Sequence, residues 1–412
     1  MRTKEWRKKV KRNWKKEGGS ISYKMLKKAS EDPIGAVITS EGEIKTGPSE
    51  IVEEIANSWT QLFNKNEKAD AKKIIARYGR YIKKTDMKMR ELDGSHYKEE
   101  FKRMKTKRAT AADGWAVQEL RDLPMSLLSM GARLMAEAEE EKGRWPDVLV
   151  LGITSCIRKG AEADEATRKD PSEVVAAQGE ETRPITNMSP WVAAYENLRY
   201  GDAEKMREAN MTEDMHGARK HHEVFGVSFP LALQIEEAGL ANIDIAGISI
   251  DKRKFFDLLE YDVIEELLKA AGAPEKYTRA QRKLYTQLKV RYKVGDAVSS
   301  EKTRTNGYIQ GLSGSITAAS LIMGIWDKMI KEEVNGVETG GFIDDASIRS
   351  NGPACEDQLL EAWNKTKEFD RLSGMKTNKK KTKACANSET LEKQSPEGFS
   401  KTVTTKSQVL RI

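Results

Sequence analysis

The sequence predicts an α+β fold, on three observations. Apolar residues recur at helical spacing along several segments. β-branched apolar runs lie between those segments and read as strands. The two kinds of element follow one another without the regular alternation of a doubly wound sheet, and no stretch repeats another.

Residues 1–90 are lysine-rich and helix-prone, with Trp6 and Trp14 set among Arg7-Lys8-Lys9 and Lys15-Lys16. That pattern reads equally as an arm that touches a nucleic-acid backbone or as a solvated helix with two anchoring tryptophans. Ile51, Ile55, Trp59 and Phe63 share one face of a helix expected over 49–64, and Pro48 is its start signal. Residues 116–142 read as a long amphipathic helical region ending near Gly143. Residues 149–157 read as a strand running into Arg158-Lys159-Gly160. The acidic, alanine-rich stretch 160–182 reads as an exposed loop or short helix inserted in a compact unit. Residues 190–238 are mostly helical in pattern, and 243–250 form a buried strand. A strong helix is expected over 257–272, stopped by Gly272. One or two hairpins follow over 286–309, then a helix over 312–331, a tight strand–turn–strand over 340–350 and a helix over 355–373.

The chain has 412 residues, 38% of them hydrophobic, which is enough for a sizeable core. A net charge of +7 suits a polyanionic partner without establishing one. Cys156, Cys355 and Cys385 are odd in number and widely spaced, so neither a zinc knuckle nor a disulfide framework is expected. Such usage fits a reducing, intracellular compartment, nuclear or cytoplasmic. No run approaches the ~18 to 20 apolar residues of a membrane span. The charged N-terminus has no apolar region behind it, so no signal peptide is expected.

The chemistry rests on acids. Asp344-Asp345 follows a short apolar run in Gly341-Phe342-Ile343. Aspartate is a poor strand residue and costly to bury unless paired or metal-bound, so this is either an ordinary polar turn or a metal site. Asp251 ends the apolar run Ile248-Ser249-Ile250, and Asp257 follows six residues later behind Phe255 and Phe256. One acid at a strand end and two at a hairpin tip can converge on a pair of Mg²⁺ ions, the arrangement that clamps both oxygens of an in-line phosphoryl displacement.

The order of these pieces resembles the palm of a reverse transcriptase of non-LTR retrotransposon type. The pieces are Asp251 to Asp257; Gln310-Gly311 with Ser315; Phe342 to Asp345; and Gly374, Lys376, Asn378 and Lys381. Upstream, Lys107 to Trp115, Gly143 to Pro146, Cys156 to Gly160 and Arg183-Pro184-Ile185 resemble the fingers blocks of non-LTR and group II intron enzymes. The resemblance implies a right-hand polymerase fold: a basic helical extension (1–85), fingers (86–235), a palm with the acids (236–385) and a truncated start of thumb or tail (386–412). It implies an RNA-directed DNA polymerase using two Mg²⁺, with Mn²⁺ as a substitute, and RNA template, DNA primer and dNTPs as partners. Asp251 and Asp344 would hold the metals and Asp345 would support them. Phe256 would be the steric gate against a 2′-hydroxyl, with plain core packing as its alternative. Lys159 and Arg183 would neutralise the triphosphate, Gln310 and Gly311 would admit the template base and nucleotide, and Lys381 would meet phosphates.

Departures from the family pattern are Ser313 for proline, Ile309 for the usual arginine and Ala111 for a common glycine. There are also 23 residues between Lys159 and Arg183, where a short turn is expected. Only 29 residues follow Lys383, so a full helical thumb is not expected. A catalytically decayed or domesticated copy that still grips nucleic acid is therefore the alternative to an active polymerase.

Overall fold

The computed structural model describes residues 34–65, 68–158, 177–178, 182–387 and 400–401. In chain order these form β1 (Val37–Ile38), β2 (Ile44–Lys45), α1 (Pro48–Phe63), α2 (Ala71–Tyr78), α3 (Gly94–Arg103), α4 (Val117–Asp122) and α5 (Met125–Glu137). Next come β3 (Leu151–Arg158), β4 (Ala177–Gln178), β5 (Thr182–Asn187), α6 (Pro190–Asp202), α7 (Glu204–Asn210), α8 (Phe225–Ala241) and β6 (Ile245–Ile250). Then follow α9 (Phe255–Leu258), α10 (Tyr261–Ala271), α11 (Glu275–Gln287), β7 (Lys289–Val294), β8 (Ala297–Val298) and β9 (Lys302–Thr303). The last are α12 (Ser313–Glu333), β10 (Val337–Phe342), β11 (Asp345–Asn351), α13 (Cys355–Ser373), β12 (Lys383–Ala386) and β13 (Ser400–Lys401).

The expected mixture of helix and sheet is what the chain forms. Contacts divide it into two compact units. One takes the described residues of Met1–Ala56, Ser155–Ile185 and Tyr292–Ser299; the other takes the rest. The first unit contains the small sheet β2-β1-β4.

The second unit holds the sheet that matters for function, in the order β10-β11-β6-β12-β13. β11 runs antiparallel to both neighbours, with Phe342 opposite Asp345 on one side and Ala346 opposite Ile250 on the other. Against β10 packs α12, which is buried around most of its circumference: Leu321, Ile322, Met323, Ile325, Trp326, Met329 and Ile330 are buried, as is Asp327, which accepts hydrogen bonds from Thr339 and Thr212. A helix buried on nearly every side belongs in a core, and α12 touches α6, α7, α10 and α13 as well. α13 lies on β11 and β6, and its Thr366 takes the Trp326 indole N–H at 3.1 Å.

Local sequence accounts for the element ends. In α1 the predicted face Ile51, Ile55, Trp59 and Phe63 is buried throughout. The region expected as one long helix from 116 is two, because Pro124 forces Leu123 out of helical geometry. The helix expected from 257 is likewise broken at Leu259-Glu260, and α10 ends on Gly272 at φ +96°. A Cβ there would lie 2.3 Å from the Thr85 carbonyl oxygen. Residues 211–224, expected to be largely helical, instead form turns, and one of these pairs Met215 with Gly341 of β10.

Candidate active site

β6 alternates faces, so Ile248, Ile250 and Lys252 point one way and Ser249 and Asp251 the other. The register between β11 and β6, continued by one residue, sets Asp345 opposite Asp251. Residues opposite one another on antiparallel strands lie ~5 Å apart at Cα. Asp344 adjoins Asp345, one Cα–Cα step of ~3.8 Å away, so the three acids share one end of the sheet. The turn joining β10 to β11 consists of Ile343 and Asp344, and Ile343 has φ +60°. A β-branched residue in that left-handed region is strained by roughly 1–2 kcal/mol. Its surroundings enforce the conformation: the His216 N–H donates to the Gly341 carbonyl at 2.8 Å, and the Gly341 N–H donates to the Asp214 carbonyl at 2.9 Å. A Cβ on Gly217 would come within 2.3 Å of the Ile343 nitrogen, which is why the loop there needs glycine.

The acids repel one another. Partial burial raises Asp344 above the ordinary aspartate range, and the charges of Asp345 and Asp251 raise it further. Asp345 is also raised, by desolvation and by Asp251, and the Lys381 ammonium offsets this in part. Lys381 therefore lies within range of the charge on Asp345. Three carboxylates at one place, with a single lysine offsetting part of their charge, are hard oxygen donors of the kind Mg²⁺ takes, and a cation would relieve their repulsion. Among the described residues, however, no three His, Cys, Asp or Glu side chains are drawn together into a ready-made ligand set.

The backbone around Asp251 is clamped. Its N–H donates to Thr382 Oγ1 at 3.2 Å, and its carbonyl accepts the Asn378 N–H at 2.8 Å. The Arg253 N–H reaches the Lys376 carbonyl at 2.8 Å. Beneath, the buried Lys252 ammonium pairs with Asp370 of α13 at 2.5 Å, and Asp370 accepts Thr377 Oγ1 at 2.6 Å. Sequence reasoning missed this clamp. The signal for Lys252 was its place on the same strand face as Ile248 and Ile250.

Phe255 is 3% exposed, whereas Phe256 is only half-buried; their rings meet edge to face at 5.2 Å. Both lie on the short helix α9. The Phe256 carbonyl accepts the Tyr308 N–H at 2.8 Å, and the Leu259 carbonyl accepts that of Gly307 at 2.8 Å. These bonds lay the 306–308 segment beside α9 and lead into the exposed turn Gln310-Gly311. Gly311 has φ +98° and open space where a Cβ would be. Just beyond, α12 begins at Ser313, and the Gly314 N–H donates to the buried Glu196 carboxylate at 2.9 Å. The fold thus joins the segments carrying Asp251, Phe256, Gln310, Gly311, Asp344, Asp345 and Lys381. Arg183 is exposed on β5, in the first unit. Lys159 and nearly all of the 160–182 insert lie outside the described residues, as do the basic segment around Trp6 and Trp14 and most of the tail.

Fold and site together define a mixed α/β protein with a carboxylate centre at the end of an antiparallel sheet. The profile of the reverse transcriptase (RNA-dependent DNA polymerase) family matches residues 178–403, over half of the chain, and the chain belongs to that family. The match takes in Arg183 and every motif from Asp251 to Lys381, and it begins beyond the blocks at 107–115, 143–146 and 156–160. No curated protein matches the chain.

Proposed function

We propose that the chain is the polymerase core of a non-LTR retrotransposon reverse transcriptase, copying RNA into DNA from a DNA primer by two-metal phosphoryl transfer. The observation that carries this is the meeting of Asp251, Asp344 and Asp345 at one sheet end, where partial burial, and after it the neighbouring carboxylates, holds Asp344 and Asp345 above the aspartate range. Asp251 and Asp344 would hold Mg²⁺, or Mn²⁺ in its place, and Asp345 would support them. Such ions stabilise the charge on the attacking and leaving oxygens. Phe256, less buried than Phe255, would stack under the sugar and exclude a 2′-hydroxyl. The open turn at Gln310-Gly311 would admit the template base and dNTP. Lys381, with Lys159 and Arg183, would neutralise phosphates. In this reading residues 1–85 form a basic extension, 86–235 the fingers, 236–385 the palm and 386–412 the start of a thumb or a tail. The protein would work inside the cell, in nucleus or cytoplasm.

Primer extension on an RNA template with Mg²⁺ tests this. The wild-type chain should extend the primer, and Asp344→Asn, equally folded, should not. One observation favours a second reading, a decayed copy that binds nucleic acid without copying it: the described residues lack a collected ligand set. Template binding without extension by the wild-type chain would select that reading.

A further inference from the structure

Six of the tryptophans lie in described residues. Trp59, Trp145, Trp191, Trp326 and Trp363 are at most 8% exposed, whereas Trp115 is 37% exposed. An indole left at the surface is unusual in a chain that buries its others, because it forgoes a large apolar burial. Trp115 also sits beside a cationic segment. Between residues 102 and 108 stand Lys102, Arg103, Lys105, Lys107 and Arg108, with no acid among them. Lys102 and Arg103 are engaged by Glu99 and Glu100. Lys105 and Lys107 are exposed and make no ion pair among the described residues.

The segment is built rather than loose. The Arg121 guanidinium donates to the carbonyls of Phe101 at 2.8 Å, Lys102 at 2.8 Å and Met104 at 2.5 Å, and so fixes the exit from α3. Ala111 to Gly114 closes a turn, with the Gly114 N–H on the Ala111 carbonyl at 3.1 Å and Gly114 at φ +73°. Half-buried Arg108 feels the charge of Asp113 from across this turn, and Trp115 follows Asp113 by two residues, its N–H on the Asp113 carboxylate at 3.4 Å. On the far side, the Ala116 N–H is held by Glu119 at 2.8 Å. A part-exposed indole one closed turn away from two exposed ammonium groups is the pairing that grips a single strand without reading its sequence, one base stacked and phosphates neutralised.

We propose that Trp115, with Lys105 and Lys107, is a docking platform for single-stranded nucleic acid, where one unpaired base of the template stacks on the indole. The proposal rests on the reading of the chain as a template-copying enzyme, and its test uses binding alone. A short, unstructured, end-labelled RNA is titrated with the full chain and followed by fluorescence anisotropy, with a DNA of the same sequence as a second arm. Trp115→Ala should weaken binding about 5- to 150-fold, the loss of one stacked base, and Trp115→Phe should keep most of the affinity. Lys105→Gln combined with Lys107→Gln should lower the slope of log K against log salt by about 1.4, and Trp115→Ala should leave that slope in place. RNA and DNA should respond alike, since stacking and phosphate contacts are common to both. Wild-type affinity in Trp115→Ala would overturn the platform and leave the copying reading intact. Failure of the wild-type chain to bind any nucleic acid would overturn both. Most of the Trp115 side chain is buried, so each variant is titrated below the onset of its own thermal melt, and Trp115→Phe, which keeps an aromatic ring in place, separates lost contact from lost fold.

Discussion

Two groups of carboxylates in the larger unit hold their protons more tightly than free side chains do; burial leads in both, and what surrounds them differs. Glu196 of α6 is 1% exposed, and burial pushes it up to about 7. Both its oxygens are satisfied, one by the Gln281 amide at 2.5 Å and the other by the Gly314 N–H at 2.9 Å. Asp344 and Asp345 are nearer solvent; desolvation raises each, and a neighbouring carboxylate, which Glu196 lacks, raises it further. A lone acid with two donors locks the first turn of α12 behind Gln310-Gly311. A cluster short of donors is poised for a cation. Donor supply, more than burial, separates a structural carboxylate from a candidate chemical one.

The largest effect on stability should fall on neither group but on the pair beneath Asp251. Lys252→Ala strands Asp370 in the interior and should cost about 3–5 kcal/mol. Replacing both partners together, by Lys252→Met with Asp370→Leu, should recover most of that loss. Urea unfolding of the two variants makes the comparison. A Lys252→Ala chain as stable as wild type would mean that the clamp is idle.

Next in size is Glu196. Glu196→Leu leaves the Gln281 amide and the Gly314 N–H without an acceptor and should cost about 1–3 kcal/mol for each buried group. Glu196→Gln keeps an acceptor and should cost less. The pH dependence has a definite sign. A carboxyl raised from 4.5 in the unfolded chain to about 7 in the folded one binds more protons when folded. Its contribution is therefore full below pH 4.5 and is lost as pH rises toward 7. Relative to Glu196→Gln, wild-type stability should fall by at most about 3 kcal/mol across that window. A difference independent of pH would place the Glu196 carboxyl in the ordinary range.

The smallest effect is expected at the hairpin. Asp345→Asn removes a like charge beside Asp344 and Asp251 and should raise stability slightly, by less than about 1 kcal/mol in the absence of divalent ions. A thermal melt without Mg²⁺ reads it. A clear loss of stability would show that Asp345 is held by partners and is not repelled.

Much of this arrangement was legible in the sequence. A periodic apolar face marked α1, helices were expected where α12 and α13 form, and the β-branched run marked β6. The strand–turn–strand around Asp344-Asp345 appears as β10 and β11, with the acids at the turn as expected. What escaped has physical reasons. β12 pairs with β6 along Lys383–Ala386, four residues without a β-branched side chain that alternate exposed and half-exposed, so no apolar run announces a strand. α11 is strongly polar overall, and its buried stripe of Tyr277, Ala280, Leu284 and Tyr285 is narrow. Phe255 and Phe256 lie on a short helix, so helix geometry rather than strand alternation separates their faces. The Lys252–Asp370 pair spans 118 positions of sequence, a contact no local pattern announces.

The most direct test of the carboxylate centre is single-nucleotide incorporation on an RNA-templated DNA primer, titrated with Mg²⁺, for wild type and Asp251→Asn side by side, with primer-template binding measured in parallel. The account expects incorporation that saturates with Mg²⁺ in the wild type. In Asp251→Asn it expects a fall of the order of a thousandfold or more, with binding retained. Incorporation by Asp251→Asn at the wild-type rate would contradict it.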